Sequence, residues 1–363
     1  MIDKATLADY RTLLTWMGAQ TDGLGILLRD CGSPAAVLRA SEQRLAELPR
    51  STLRALQQAR NAWPGRRPDA FDHQMQDAEF VPFHAPAYPP RLRCIPDPPP
   101  WFFARGNLHC LASPAVAIVG SRRASEAGLR AAASISKTLA AAGYTVCSGL
   151  ALGIDAAAHR GALQAGFTAA VLASGLDRAS PYRHRNLAQE ISGQGCVLTE
   201  LPPGTPPSKY QFPRRNRIIS GLASATIIIE AALPSGSLHT AAAALEQGRE
   251  VYTLPWSIFH TQGAGCLRLL RDGAIPITGI DDLCALFPGV AARKTSNSKR
   301  QLPSGDTGEL IALIGDTPMS LNALQRETGR DIGKLLVLLG ELEVAGWLSR
   351  VNGLYQRVPV DPC

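Results

Sequence analysis

Ala115-Val116-Ala117-Ile118-Val119-Gly120-Ser121-Arg122-Arg123 decides the fold. Apolar residues without a polar interruption mark a strand buried on both faces, as in a parallel sheet covered by helices. The strand ends on a glycine, where chain direction changes, and polar residues follow. Counting residues 115–120, seven apolar, β-branched stretches recur, the others being 144–148, 168–173, 196–199, 225–230, 250–254 and 275–278. Helical segments lie between them, as from Ser125 to Ala142 and from Ser237 to Gln247. Strands alternating with helices predict an α/β fold, a Rossmann-like, mostly parallel, doubly wound sheet. A ligand of such a sheet belongs at the carboxyl ends of its strands.

Outward from that middle, 113–288, the composition changes on both sides. Residues 1–65 read as a small helical domain, with apolar positions at Leu7, Leu13, Leu14 and Trp16, then Ile26, Leu27, Val37 and Leu38, then Leu45, Leu48, Leu53 and Leu56. It fits a SAM-like or helix-hairpin-helix module, and equally a protein-docking cap. Residues 66–112 are Pro-rich, with Tyr88-Pro89 and Asp97-Pro98-Pro99-Pro100, and predict extended connecting structure with one or two strands. Residues 289–306 are polar and read as a linker. In 307–363, Ser320 and Asp331 are candidate N-caps, and Asn352-Gly353 fits a type I′ turn between two short strands. Three helices and a hairpin make a winged helix.

The 363 residues are 45% hydrophobic, ample for a packed core, and no apolar run reaches the roughly 18 residues of a membrane span. Met1-Ile2-Asp3-Lys4 mixes acid with base and argues against a cleaved signal peptide. The eight cysteines are scattered without a C-x-x-C pair, which predicts reduced thiols in a cytoplasmic protein and no metal site. Net charge is +7, but 31 of the 37 cations are arginine, a bias that genome composition alone can produce. Location is more telling. From Arg178 to Arg217 seven cations face only Glu190 and Glu200, a balance of +5, whereas 307–358 has five cations against six acids, a balance of −1.

Three strand exits carry anion-friendly residues. Gly120 admits a backbone to an anion, Ser121 offers a hydroxyl, and Arg122 a planar fork for phosphate oxygens. Ser148-Gly149-Leu150-Ala151-Leu152-Gly153-Ile154-Asp155 adds glycines before a helix that Asp155 is placed to cap. His159, one turn on, reads as helix packing rather than a base. Ser235-Gly236-Ser237 opens a third helix. No G-x-G-x-x-G follows the first strand, and Gly333-Lys334 lacks the spaced glycine of a Walker loop. A loop follows, with Lys209, Arg214, Arg215 and Arg217 around Phe212. Phe212 either stacks on an unpaired base or is buried under its own loop. Asn216 either bonds a base or holds the loop. Cations with an exposed ring favour single strands, because a duplex hides its base faces.

Those residues resemble the DNA-processing protein A family (DprA, also called Smf). The similarity is carried by Val119-Gly120-Ser121-Arg122, the 148–159 stretch, Gly175-Leu176-Asp177, Glu200-Leu201-Pro202-Pro203-Gly204-Thr205-Pro206-Pro207, Phe212 to Leu222, Glu230-Ala231, Ser235 to Ala241 and Glu246 to Val251. It implies a recombination mediator of natural transformation: a homodimer that binds single-stranded DNA, protects it, displaces single-strand-binding protein and loads RecA. It implies no catalytic residues, no cofactor and no nucleotide hydrolysis. By position, Arg122 and Lys209 would grip phosphate, Phe212 a base, with Arg215 and Asn216 completing the loop. Three positions depart from the family pattern: Leu152 where arginine is usual, Trp256 where glycine is usual, and Leu267 where asparagine is common. These lower the affinity expected. The competing reading is a nucleotide phosphoribohydrolase, with Glu230 or Glu246 cleaving a glycosidic bond. It lacks that family's paired glutamates, since only Glu246 follows the Pro234-Ser235-Gly236-Ser237 turn. The third helix of the winged helix, rich in leucine and poor in cations, favours protein contact over a major groove.

Overall fold

All seven stretches become strands of one nine-stranded sheet in the computed structural model, which describes residues 2–63, 78–290, 305–314, 318–351 and 353–357. Its elements fall into two units, Met1–Ala292 and Arg293–Cys363.

The first unit opens with five helices, α1 (Lys4–Met17), α2 (Leu24–Cys31), α3 (Pro34–Leu38), α4 (Glu42–Leu45) and α5 (Arg50–Ala62). Next come β1 (Glu79–Pro82), α6 (Pro90–Arg93) and β2 (Trp101–Gly106). The β-α core follows as β3 (Ala115–Val119), α7 (Glu126–Ala141), β4 (Thr145–Ser148), α8 (Ile154–Leu163), β5 (Thr168–Val171), α9 (Arg185–Gln194), β6 (Cys196–Thr199) and α10 (Gln211–Leu222). It ends with β7 (Ala225–Ile228), α11 (Gly236–Glu246), β8 (Glu250–Thr253), α12 (Ala264–Arg271), β9 (Ile275–Pro276) and α13 (Asp282–Leu286).

Strand order is β1-β2-β6-β5-β4-β3-β7-β8-β9, with β3 to β9 parallel and β1 and β2 antiparallel at one edge. The direction of winding reverses between β3 and β7, so two crossovers diverge there and leave a crevice at the carboxyl ends. Side chains alternate across the sheet. Val116, Ile118, Val146 and Ile227 face one core, which α7 and α8 close through Ile135, Leu139 and Ile154. Ala115, Ala117, Cys147 and Ala169 face the other, with Ile218, Ile219 and Ala241 from α10 and α11. Alanines on that face let α10 lie close to the strands.

The Pro-rich stretch is more than a connection. Its β1 and β2 extend the sheet, and Trp101, Phe102 and Phe103 are fully buried. The helices of residues 4–62 pack on the same core through Tyr10, Leu13 and Leu56. Tyr10 Oη and His84 Nδ1 lie 2.5 Å apart, joining α1 to the segment after β1.

The second unit contains α14 (Asp306–Ile314), β10 (Met319–Ser320), α15 (Leu321–Thr328), α16 (Ile332–Val344), β11 (Leu348–Val351) and β12 (Leu354–Arg357). Three helices and a three-stranded sheet, β10-β12-β11, form a winged helix. Ser320 Oγ accepts the Ala323 amide, and Asp331 Oδ1 accepts those of Gly333 and Lys334, so both caps form. The turn residue Asn352 and most of the 289–306 linker lie outside the described residues. Among the described residues, no helix is long and apolar enough to cross a membrane.

Candidate nucleic-acid interface

The crevice between β3 and β7 holds a cleft of about 460 Å³, lined by Val119–Arg123, by Phe212, Arg215 and Asn216 of α10, by Pro234–Ser237 and by Gln262. Each wall has a local cause.

The first wall is the exit of β3. A Cβ on Gly120 would come within 2.7 Å of Ile154 Cγ1 and 2.9 Å of the Glu230 carbonyl, so only glycine fits where α8 and the end of β7 close in. Ser121 is buried; its hydroxyl donates to Gln262 Oε1 at 2.8 Å and accepts the Arg123 amide at 3.1 Å. That fixes the turn and aims the next residue outward. Arg122 is exposed, and its guanidinium carbon stands 4.9 Å from the centre of the Phe212 ring. A cation and a ring face therefore share the mouth of the cleft.

The floor is the turn after β4. Asp155 does not cap α8; Oδ2 accepts the amides of Gly149 at 3.1 Å and Ala151 at 3.2 Å, folding the turn back on itself. Leu150 between them holds φ +58°, strained for a branched side chain. Gly149 is a glycine because the Arg215 guanidinium occupies the space its Cβ would fill. Its amide goes to Asp155, so Gly149 shapes the floor and offers an anion nothing. His159 is buried packing: Nδ1 meets Thr168 Oγ1 at 2.7 Å, and burial drives its pKa down to about 3.

The third wall is the start of α11. Ser235 Oγ accepts the Ser237 amide at 3.4 Å and lies 2.8 Å from Ser237 Oγ. A Cβ on Gly236 would meet open space, and the Gly236 carbonyl accepts Asn216 Nδ2 at 3.3 Å. Asn216 thus braces α11 against α10 at the edge of the cleft.

The arginine-rich stretch differs from its sequence reading. Residues 211–222 form helix α10 rather than a loop, and the helix turns its guanidiniums in different directions. Arg215 points inward, Nη1 donating to the Val171 carbonyl at 2.7 Å; burial lowers its pKa to about 10, with Asp155 acting the other way. It still carries its charge at neutral pH, as part of the floor. Arg214 does not line the cleft. Its guanidinium donates to the Ala19 carbonyl at 2.9 Å and Thr21 Oγ1 at 2.6 Å, and pairs with Asp22 and Glu200. Arg217 pairs with the same Glu200 at 2.6 Å and with Asp97 at 3.6 Å. Much of the +5 balance is therefore absorbed by a network joining the N-terminal helices to α10. Lys209 is exposed in the segment before α10 and does not line the cleft. Of the residues singled out, Gly120, Ser121, Arg122, Phe212, Arg215, Asn216, Ser235 and Gly236 converge.

Neither glutamate of the competing reading lines the cleft. Glu230 is buried, accepts the Ser125 amide at 2.9 Å and the Ser125 hydroxyl, and lies 2.8 Å from His260 Nε2. Glu246 is exposed at the far end of α11. Trp256 donates to the Ile229 carbonyl at 2.5 Å and stacks on His260 at 4.6 Å. Like Leu152 and Leu267, it stands outside the cleft lining. Sequence reading missed Gln262, which follows no glycine turn and reaches Ser121 from 141 positions away; only the folded chain brings it there.

Comparison with known proteins places these features. A family profile described as DNA recombination-mediator protein A matches residues 79–288, and one described as the DprA winged helix domain matches 294–353. Protein Smf of Escherichia coli K12 is 39% identical over 288 residues, covering 77% of each chain. DNA processing protein DprA of Streptococcus pneumoniae R6 is 42% identical over 201 residues, 55% of this chain and 71% of that one. The solved S. pneumoniae DprA superimposes with a TM-score of 0.63 at 32% identity, over 78% of this chain and 98% of that one. DNA processing protein A of Helicobacter pylori, solved for its single-stranded DNA binding mode, gives 0.53 at 28% identity, over 59% and 94%. Matched by the one profile over residues 79–288 and by the other over 294–353, the chain belongs to the DNA recombination-mediator protein A (DprA/Smf) family.

Proposed function

We propose that this chain is a cytoplasmic, non-enzymatic recombination mediator that binds single-stranded DNA in the β3–β7 cleft. One observation carries the reading: the exposed Arg122 guanidinium stands over the Phe212 ring, at the mouth of a cleft walled by a glycine turn and a helix start. A phosphate takes the guanidinium and an unpaired base takes a ring face; a duplex can offer only the first. The family and the single-strand-binding relative from H. pylori support the same ligand. Family membership also supports the finer role of natural transformation: a homodimer that protects incoming strands, displaces single-strand-binding protein and loads RecA.

A further observation supports binding without bond cleavage. Among the described residues, Asp155 is the one acid lining the cleft, and its carboxylate already accepts two backbone amides. In the second unit, α16 exposes Ile332, Leu336, Val337 and Val344 and has Lys334 as its single cation, which supports protein contact for the winged helix.

The test is competition between a single-stranded and a duplex oligonucleotide of the same sequence, alongside incubation with nucleoside monophosphates. Preference for the single strand with no free base released is the expected result. Equal binding of the two forms, or release of base at a catalytic rate, overturns the proposal.

A further inference from the structure

A second groove of about 830 Å³ opens beside the segment linking β5 to α9, and it repeats the ring-and-cation pairing of the cleft. It is lined by Arg105, Tyr182, Arg183, Arg185, Asn186 and Gln189, among others. Tyr182 is 77% exposed, and the Arg185 guanidinium carbon lies 5.2 Å from its ring centre. An exposed tyrosine ring held under an arginine fills no core and caps no helix. Asp177, the acid among the lining residues, is engaged elsewhere: Oδ1 accepts the Gly204 amide at 2.8 Å and Oδ2 pairs with Arg178 at 3.5 Å. The groove is thus positive overall.

A structural link joins it to the cleft. His184, between Arg183 and Arg185, is buried, and its Nδ1 lies 2.8 Å from the Leu150 carbonyl. Leu150 is the residue held at φ +58°, and Ala151 beside it lines the cleft. One contact therefore fixes Tyr182, Arg183 and Arg185 to the cleft floor. The groove's lining reaches Val197 of β6 and Arg105 of β2, three and four positions from β3 in the sheet. At about 4.8 Å per strand spacing that is roughly 15–20 Å. With about 3.4 Å per phosphate along a stacked strand, roughly four to six phosphates span the distance.

We propose that Tyr182, Arg183 and Arg185 form a second subsite for single-stranded nucleic acid, which receives the strand as it leaves the β3–β7 cleft across the turn after β4. The inference rests on the cleft reading and deepens it. The groove supplies a stacking face and cations for bases and phosphates beyond the few the cleft can hold.

The experiment measures binding of oligothymidylates of about 4 and about 15 nucleotides, near the two ends of the range of site sizes for stacking surfaces. Wild type, Tyr182→Ala, Arg183→Ala/Arg185→Ala and Arg122→Ala are compared. The expected result is that the two groove variants bind the short strand like wild type but lose roughly fivefold or more on the long one, the low end for one stacking contact. Arg122→Ala weakens both strands. Because Arg185 begins α9, a second readout leaves the protein unaltered: photocrosslinking from iodouracil placed near one end of the long strand, with Tyr182 as the expected adduct. Wild-type length dependence in both groove variants, with no adduct at 182–185, overturns the subsite. Loss of the cleft reading shows up separately, as no short-strand binding by wild type or an Arg122→Ala variant indistinguishable from it; either also overturns the subsite.

Discussion

Arg215→Met tests whether the arginines of α10 are structural or contact residues. Arg215 is buried, donates to the Val171 carbonyl and shares the floor with the buried Asp155. Methionine keeps much of the volume and removes the charge. What remains is a carboxylate in low dielectric without its cation, and an unbonded carbonyl at the end of β5. Removing one member of a buried charge pair typically costs about 3–5 kcal/mol. For a unit of this size that lowers Tm by about 10 °C. Urea unfolding followed by circular dichroism measures the loss, and the salt dependence of single-strand binding measures contacts. The structure predicts a large stability loss with the salt slope preserved in the folded fraction. Stability within about 1 kcal/mol of wild type, together with a slope reduced by about 0.7, the value for one neutralised phosphate, would show that Arg215 reaches out to DNA and refute the reasoning.

Other variants separate the remaining roles. Phe212→Ala removes the ring under Arg122 and should weaken single-strand affinity by about 1–3 kcal/mol with little change in salt slope, since stacking releases no counterion; fluorescence anisotropy across a salt series checks both. Arg214→Ala leaves Glu200 with Arg217 alone and loosens the N-terminal helices, which hydrogen exchange should report as lost protection in residues 19–22 at an unchanged salt slope. Acid should destabilise the fold through His159. Its folded pKa of about 3 lies below the unfolded value, so the stability it contributes is full above about pH 6.5 and is lost as pH falls from there. Between pH 7 and pH 5 the loss is about 2 kcal/mol, and His159→Gln should flatten the measured pH dependence over that window.

The sheet was legible because its signal is local: each of the seven apolar stretches ends near a glycine or polar turn, and all became parallel strands in one sheet. Strands β1 and β2 at the antiparallel edge were harder to read, since prolines surround them and β6, to which β2 joins the pair, lies nearly 100 residues on. Glycine turns located the cleft for the same local reason. Where reading stopped was direction. Arg214, Arg215 and Arg217 sit within four positions on one helix, and their spacing sends one to the N-terminal helices, one under the floor and one to Glu200 and Asp97. Spacing alone cannot say which face of α10 is buried until the partners Asp22, Asp97 and Val171 are in place. Gln262 and the Asp155 turn were invisible for the same reason: both act through contacts with backbone or with residues distant in sequence.

The salt dependence of single-strand affinity in Arg122→Ala against wild type is the most direct measurement of all. Arg122 is an exposed cation at the cleft mouth, set against the Phe212 ring. A stably folded variant whose log affinity against log salt is shallower by about 0.7, one phosphate on a single strand, is the result that follows from a strand lying in the β3–β7 cleft. An identical slope and affinity would place the nucleic acid elsewhere on the molecule and contradict the account.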